Sequence, residues 1–284
     1  MSLTTTYDLT EVRRSIRQGW EEVAVEYTKD RLGIFGRYAE RLLDLLHLPS
    51  GSRMLDVGCG NGAVTLQATN RVGSEGRVTG SDIAAAMLQM GKAKAEEEKT
   101  DITFCQMDAE WLGFANASFD CVACAFSLFQ FQDMDQALAE MWRVMKPGGR
   151  LGLSNWGPGY FTPIASLQRD LFREYGIKPL LVNPLVFEPT ELRKLLTRTG
   201  YTAVELIEET DEVWFETPEQ VWAFNLDMGP FPIMLKRQLS ADQQRKLNNH
   251  FIAMLENLVS DRGIKSTFHL IYALARKGGV SSVP

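Results

Sequence analysis

Leu55-Asp56-Val57-Gly58-Cys59-Gly60-Asn61-Gly62 is the stretch on which the fold turns. The short apolar run before it, Arg53–Val57, reads as a buried strand, and Ala63–Arg71 after it reads as a helix. Glycine at 58, 60 and 62 lets the chain turn sharply between the two and lets a ligand approach where a Cβ would clash. The following helix offers unpaired N–H groups in its first turn. Asp82 then stands at the end of the next strand, Gly76–Ser81, where a carboxylate can hold both hydroxyls of a ribose. A glycine cluster alone is a weak sign. A strand, a turn, a helix and an acid at the next strand end make a context that a purely structural turn does not require.

Outward from this point, strands and helices alternate. Residues 11–29 and 34–47 read as helices, Ala84–Glu98 as a helix, and Ile102–Gln106 and Phe119–Phe126 as strands. Met134–Met145 reads as an amphipathic helix ended by Lys146-Pro147-Gly148-Gly149, with Arg150–Ser154 as the next strand. This alternation predicts an α/β protein with a doubly wound parallel sheet. Beyond residue 156 the composition changes: eight of the eleven prolines lie between Pro158 and Pro232, and aromatics are dense. Pro189–Thr199, 218–226 and 240–259 read as helices, and Tyr201–Ile207 and Phe268–Ala275 as strands. The expectation is one domain over 1–284. Its cofactor-binding core spans about 50–156, and a mainly helical cap is drawn from about 1–33, 157–188 and 211–265.

Composition excludes some classes. Lys and Arg number 30 against 36 Asp and Glu, a net charge of −6, which argues against a general nucleic-acid binder. The four cysteines are too few for a disulfide scaffold and favour a reduced, cytoplasmic setting. No apolar run is long enough for a membrane span, so none is expected.

The glycines by themselves leave two cofactors open, since Gly58-x-Gly60-x-x-Ala63 also fits the dinucleotide pattern of an NAD-dependent oxidoreductase. Asp56, two residues before Gly58, decides between them. A carboxylate there repels a pyrophosphate and suits an ammonium group. A ligand with an amino-acid end and an adenosine end satisfies both aspartates, and S-adenosylmethionine is such a ligand.

Four segments then resemble the class I S-adenosylmethionine-dependent methyltransferases: LDVGCGNG (55–62), VTGSDIAAAML (78–88), QMDAEWLGFANASFD (106–120) and ALAEMWRVMKPGGRL (137–151). The likeness is nearest to the small-molecule branch that includes ubiquinone- and menaquinone-biosynthesis methyltransferases. It implies a Rossmann-like seven-stranded sheet whose last strand is antiparallel. It also implies site roles. Asp56, Gly58, Cys59 and Gly60 would line the methionine end, and Asp82 would bind the ribose. Ile83 would lie on the adenine, Asp108 would accept from its amino group, and Ala109 would give backbone contacts. Phe126 and Ser127 would sit beside the methionine moiety, and Tyr27, in a region that folds over the cofactor in that family, would touch the same end.

The expected function is methyl transfer to a small, apolar or aromatic acceptor at oxygen, nitrogen or carbon. The alternatives are a non-catalytic S-adenosylmethionine-binding subunit or sensor, and an NAD-dependent oxidoreductase. The Asn/Asp-Pro-Pro-Tyr motif of many nucleic-acid and protein methyltransferases is absent from the fourth strand's end, Ala125–Gln130. Trp156, Tyr160, Phe161, Trp214, Phe215, Trp222, Phe224 and Phe231 form an aromatic-rich set of which most are expected to pack the cap onto the sheet and two or three to face a ligand; Gln130, Trp156, Tyr160, Trp214 and Trp222 are the candidates for the acceptor pocket. Tyr27 and His250 are the first candidates for a general base. Cys121 and Cys124 face opposite sides of a strand and lack zinc spacing, and Cys59 reads as a size-limited linker. His47 and His269 read as structural.

Overall fold

The computed structural model describes residues 9–27, 32–178, 185–227 and 231–278. Parts of the expected cap, 1–8, 28–31, 179–184 and 228–230, lie outside the described residues, as does the side chain of Phe231.

Two helices, α1 (Leu9–Tyr27) and α2 (Ile34–Leu46), precede the sheet. Then come β1 (Arg53–Val57), α3 (Ala63–Val72), β2 (Arg77–Asp82), α4 (Ala85–Glu98), β3 (Ile102–Gln106), β4 (Phe119–Ala125), α5 (Met134–Val144) and β5 (Met145–Trp156). A 3-10 turn, Leu128–Gln130, links β4 to α5. The remainder is α6 (Ile164–Glu174), α7 (Pro189–Arg198), β6 (Tyr201–Phe215), α8 (Pro218–Asp227), α9 (Phe231–Gln238), α10 (Ala241–Glu256) and β7 (Ile264–Lys277). The seven strands form one sheet in the order β3-β2-β1-β4-β5-β7-β6. The first five pair in parallel and β7 runs antiparallel to both neighbours. The chain therefore reverses its direction of strand addition between β1 and β4, leaving a crevice at their C-terminal ends where open α/β sheets bind ligands.

Apolar strands explain the buried middle. Four of the five β1 residues are buried, and Val122, Ala123 and Cys124 of β4 are fully so, as expected for strands covered on both faces. Leu42 and Leu46 of α2 pack so closely over Gly152 of β5 that a Cβ there would lie 3.2 Å from Leu42. Short local bonds fix the helix starts: Asp133 caps α5 by accepting from Gln136 N at 3.0 Å, and Ser240 with Gln243 forms a capping box on α10.

The structure corrects three boundaries. Strand β5 begins at Met145, not Arg150. Phe119 pairs with Met145 and Cys121 with Arg150, so residues 146–149 form a bulge inside the strand. Pro147 has no N–H to give a ladder, and Gly148 takes φ +75, so the turn residues were real but did not end the pairing. Strand β6 runs on to Phe215, eight residues past the expected end. Its run of acids looks like a loop, but β6 is the sheet edge, where charged side chains reach solvent. Arg37 meets Asp211 at 2.8 Å, Arg41 meets Glu209 at 2.5 Å, and Lys265 meets Glu212. The second cap insertion is accordingly 216–263 and not 211–265: Asp211–Phe215 and Ile264–Lys265 belong to the sheet. Helices α8 and α10 pack together, and α10 also packs on α6.

Most cap aromatics serve as core. Phe161 stacks on Phe268 of β7 at 5.1 Å between ring centroids, and Phe215 and Phe224 close on the same group. No described helix is long and apolar enough to cross a membrane.

Candidate cofactor site

The glycine loop is stitched to the ends of two neighbouring strands. Gly58 N and Cys59 N donate to Ser81 O at 2.8 and 3.0 Å, which ties the loop to β2. Ser127 Oγ donates to Gly58 O at 2.9 Å, which ties it to the end of β4. Gly58 has φ +68, and a Cβ on it would stand 2.6 Å from both Cβ and Oγ of Ser127. Only glycine satisfies both the left-handed backbone and that close approach.

Asp82 organises the next layer. Its Oδ2 accepts from Gly60 N and its Oδ1 from Ala84 N, each at 2.9 Å. The carboxylate thus joins the glycine loop to the start of α4 and is held in one orientation. Burial raises its pKa from the ordinary carboxylate range, while the backbone donors of Ala84, Gly60 and Ile83 pull it back. Asp56 is buried at the end of β1, where the Thr65 hydroxyl donates to it at 2.6 Å. Burial pushes Asp56 up to about 7, against the pull of Thr65 and with a smaller push from Asp82. Cys59 packs inward: a Cβ added to Gly80 would lie 2.9 Å from its sulfur. Burial and the neighbouring aspartates raise its thiol, so it is a poor nucleophile. Cys121 and Cys124 are also buried, with Cys121 pushed up by burial to about 11.

The glycine loop, Asp56, Cys59, Asp82 and Ser127 face one cavity of about 510 Å³, a volume within the range of small-ligand sites. Tyr27, Asp56, Gly58, Cys59, Gly60, Asp82, Ile83, Asp108, Ala109, Phe126 and Ser127 all line it. So does Gln130, whose Oε1 is buried without a hydrogen-bond partner among the described residues; both amide atoms of Gln132, another lining residue, are in the same position. Asp108 accepts from Glu110 N at 3.0 Å and from Arg13 Nε at 3.0 Å. Phe126 adopts φ +50 and turns its ring onto Trp156, with centroids 4.2 Å apart. Trp20 and Tyr27 meet edge to face at 5.1 Å, and Tyr27 reaches Phe35 at 5.5 Å.

Several expected site residues lie elsewhere. His250 is not in the cavity; it sits on α10 beside Glu174, 3.7 Å away, and the Tyr175 ring. Its helix covers α6 and not the glycine loop. His250→Ala is therefore expected to change cofactor affinity and turnover by less than about twofold, as for a surface position, measured by calorimetry and methyl transfer. Trp156 is 2% exposed and forms the second layer behind Phe126 and Phe35, and Tyr160 stacks behind it in turn. Trp214 lies on the edge strand under the Arg262 guanidinium, 4.3 Å from its ring, and Trp222 packs on Phe251. Of the five acceptor-pocket candidates only Gln130 lines the cavity. Large aromatics in a cap bury themselves against the sheet first. His269 pairs with Glu208 at 3.3 Å, and His47 caps α2 in a left-handed conformation.

Sequence reasoning missed the contribution of α1 beyond Tyr27. Arg13, Ile16 and Trp20 also line the cavity. Their spacing of three and four residues is a helical stripe, and that periodicity was the available signal.

A buried acid behind the glycine loop, a second acid at the adjacent strand end and an aromatic wall suit a ligand with an ammonium group, a ribose and an adenine. The open space at Gly60, where a Cβ would meet only Met87 at 3.7 Å, leaves room for it. Placed at the switch point between β1 and β4, this is a Rossmann-like site for an adenosine-bearing cofactor.

Comparison with known proteins narrows the class. Residues 54–149 match the family model described as a methyltransferase domain. A ubiquinone/menaquinone biosynthesis C-methyltransferase, UbiE, from Hahella chejuensis is 32% identical over 197 residues, covering 67% of this chain and 78% of that protein. The chain spans only 49, 65 and 60% of the length of the next three relatives of that name. Among solved structures, the YcgJ protein from Bacillus subtilis superposes with a TM-score of 0.60 at 19% identity, covering 84% of this chain and 97% of that one. A Haemonchus contortus phosphoethanolamine N-methyltransferase 2 in complex with S-adenosyl-L-methionine gives 0.54 at 20% identity, covering 85% of this chain and 52% of that one. These structures share the fold. The chain belongs to the S-adenosylmethionine-dependent methyltransferase family, and S-adenosylmethionine is its cofactor.

Proposed function

We propose that this protein moves the methyl group of S-adenosylmethionine to a small, apolar or aromatic acceptor lying against Phe126. The carrying observation is the polarity of one cavity: a buried Asp56 and a half-buried Asp82 lie in its floor, while Phe35, Phe126, Trp20 and Tyr27 form its wall. Asp56 would hold the ammonium group, Asp82 the ribose hydroxyls, Ile83 the adenine face, and Asp108 with Ala109 the adenine edge. Gly58, Cys59, Gly60 and Ser127 would give the amino-acid end its backbone surroundings. When bound, the cofactor supplies a methyl group activated by a sulfonium. The chain supplies orientation and exclusion of water. The aromatic wall suits the sulfonium's positive charge.

The relatives named as quinone-biosynthesis C-methyltransferases favour a ring acceptor whose carbon attacks the sulfonium methyl as the C–S bond breaks. Tyr27 is the titratable aromatic best placed to take a proton from such an acceptor, being in the cavity where His250 is not. A labelled methyl group should pass to members of a panel of apolar ring compounds. Label that stays on the cofactor across the panel, with tight cofactor binding, would favour the non-catalytic subunit instead.

Acidity gives a sharper expectation. The raised Asp56 must lose its proton to pair with an ammonium, so cofactor affinity should fall as pH drops below about 7, approaching tenfold per unit. Above that pH the carboxylate is already ionised and affinity should level off. Calorimetric titration across pH 5.5–8.5 checks this (about three units, spanning the raised value), and Asp56→Asn should flatten the profile.

A further inference from the structure

Helix α1 crosses the cavity and is fastened at both ends by charged side chains. Toward its C-terminal half, Glu21 accepts from Ala85 N at 2.7 Å and Ala86 N at 2.8 Å, the first turn of α4. Toward its N-terminal half, Arg13 reaches Asp108 through Nε at 3.0 Å and Glu110 through Nη2. Glu110 is 4% exposed, and its carboxylate also accepts from Gln132 N at 2.8 Å and Asp133 N at 3.0 Å. One buried carboxylate thus joins α1, the turn after β3 and the loop before α5. Arg13 is the only one of these partners carried by α1.

Asp108 is also the residue assigned above to the adenine amino group. Its Oδ2 takes Arg13 and its Oδ1 takes Glu110 N, so each oxygen keeps capacity for one further donor. Ligand and arginine can therefore share the carboxylate. We propose that Arg13 is a positioning residue that clamps α1 over the adenine end of the cavity, and that cofactor and product exchange only when it releases Asp108 and Glu110. This rests on the cofactor placement above. Charge-assisted bonds to a buried carboxylate are the strong kind, and breaking them on exit sets a dissociation rate. The Arg13 side chain is itself 37% exposed, so dissolved salt reaches the pair.

The test is stopped-flow release of S-adenosylhomocysteine, followed by tryptophan fluorescence, with amide exchange of α1 measured on the bound protein. Arg13→Gln should speed release by about tenfold or more, and Arg13→Lys should restore part of the slow release. Release from the wild type should quicken with ionic strength, release from Arg13→Gln should not, and exchange in α1 of the bound variant should rise. Unchanged release in Arg13→Gln, with normal binding, overturns the clamp alone. A wild type that binds no S-adenosylhomocysteine overturns the clamp and the cofactor placement together.

Discussion

Asp82→Ala is expected to weaken S-adenosylhomocysteine binding by on the order of 100-fold or more, with loss of methyl transfer at ordinary cofactor levels. Two losses combine. The ribose hydroxyls lose a charged acceptor, and Gly60 N and Ala84 N lose the oxygens that orient the glycine loop and the start of α4. The second loss acts even before ligand arrives, because two part-buried donors are left without partners. Asp82→Asn should fall short of repair. Its amide keeps one oxygen, so one backbone N–H must face an NH2 group. A loss nearer tenfold is expected, and calorimetry on both variants separates charge from geometry. Wild-type affinity in the alanine variant would remove Asp82 from the site.

Gly58→Ala is the second large effect. The new Cβ meets Ser127 Cβ and Oγ at 2.6 Å, on a backbone at φ +68. Strain and overlap together should cost about 3 kcal/mol of stability, and binding should fail with the displaced loop. For a chain of this size the melting temperature should drop by about 6–12 °C. Adding Ser127→Gly removes the overlap but not the backbone strain, so the double variant should recover only part of the loss. This non-additivity is the signature of a shared contact. A melting curve matching the wild type would show that the loop has room that its geometry denies.

The parallel half was legible because its strands are short runs set between turn residues and helices, with β4 near-continuously apolar. Arg53–Val57 and Ile102–Gln106 match the expected spans residue for residue. Phe268–Ala275 reads as a strand from its residues, but its antiparallel direction came from resemblance. The acid-rich continuation of β6 was hidden because an edge strand need not alternate apolar and polar side chains. The floor of the cavity was readable because glycines and acids at strand ends are local signals. The acceptor side was not: which cap aromatic faces a ligand depends on how α8 and α10 fold back, and Trp214 and Trp222 show how far that departs from composition. The clamp on Asp108 was out of reach for the same reason, since Arg13 and Asp108 stand far apart in sequence and meet only through the packing of α1 on α4.

Fold alone does not settle chemistry on this scaffold, so the placement of the cofactor carries the whole account. A crystal structure of the chain with S-adenosylhomocysteine tests that placement most directly. The ribose hydroxyls are expected on Asp82, the ammonium group toward Asp56, and the adenine between Ile83 and Asp108 beneath α1. Density for the ligand outside this cavity, or with its amino-acid end at Asp108 and its adenine at Asp56, would contradict it.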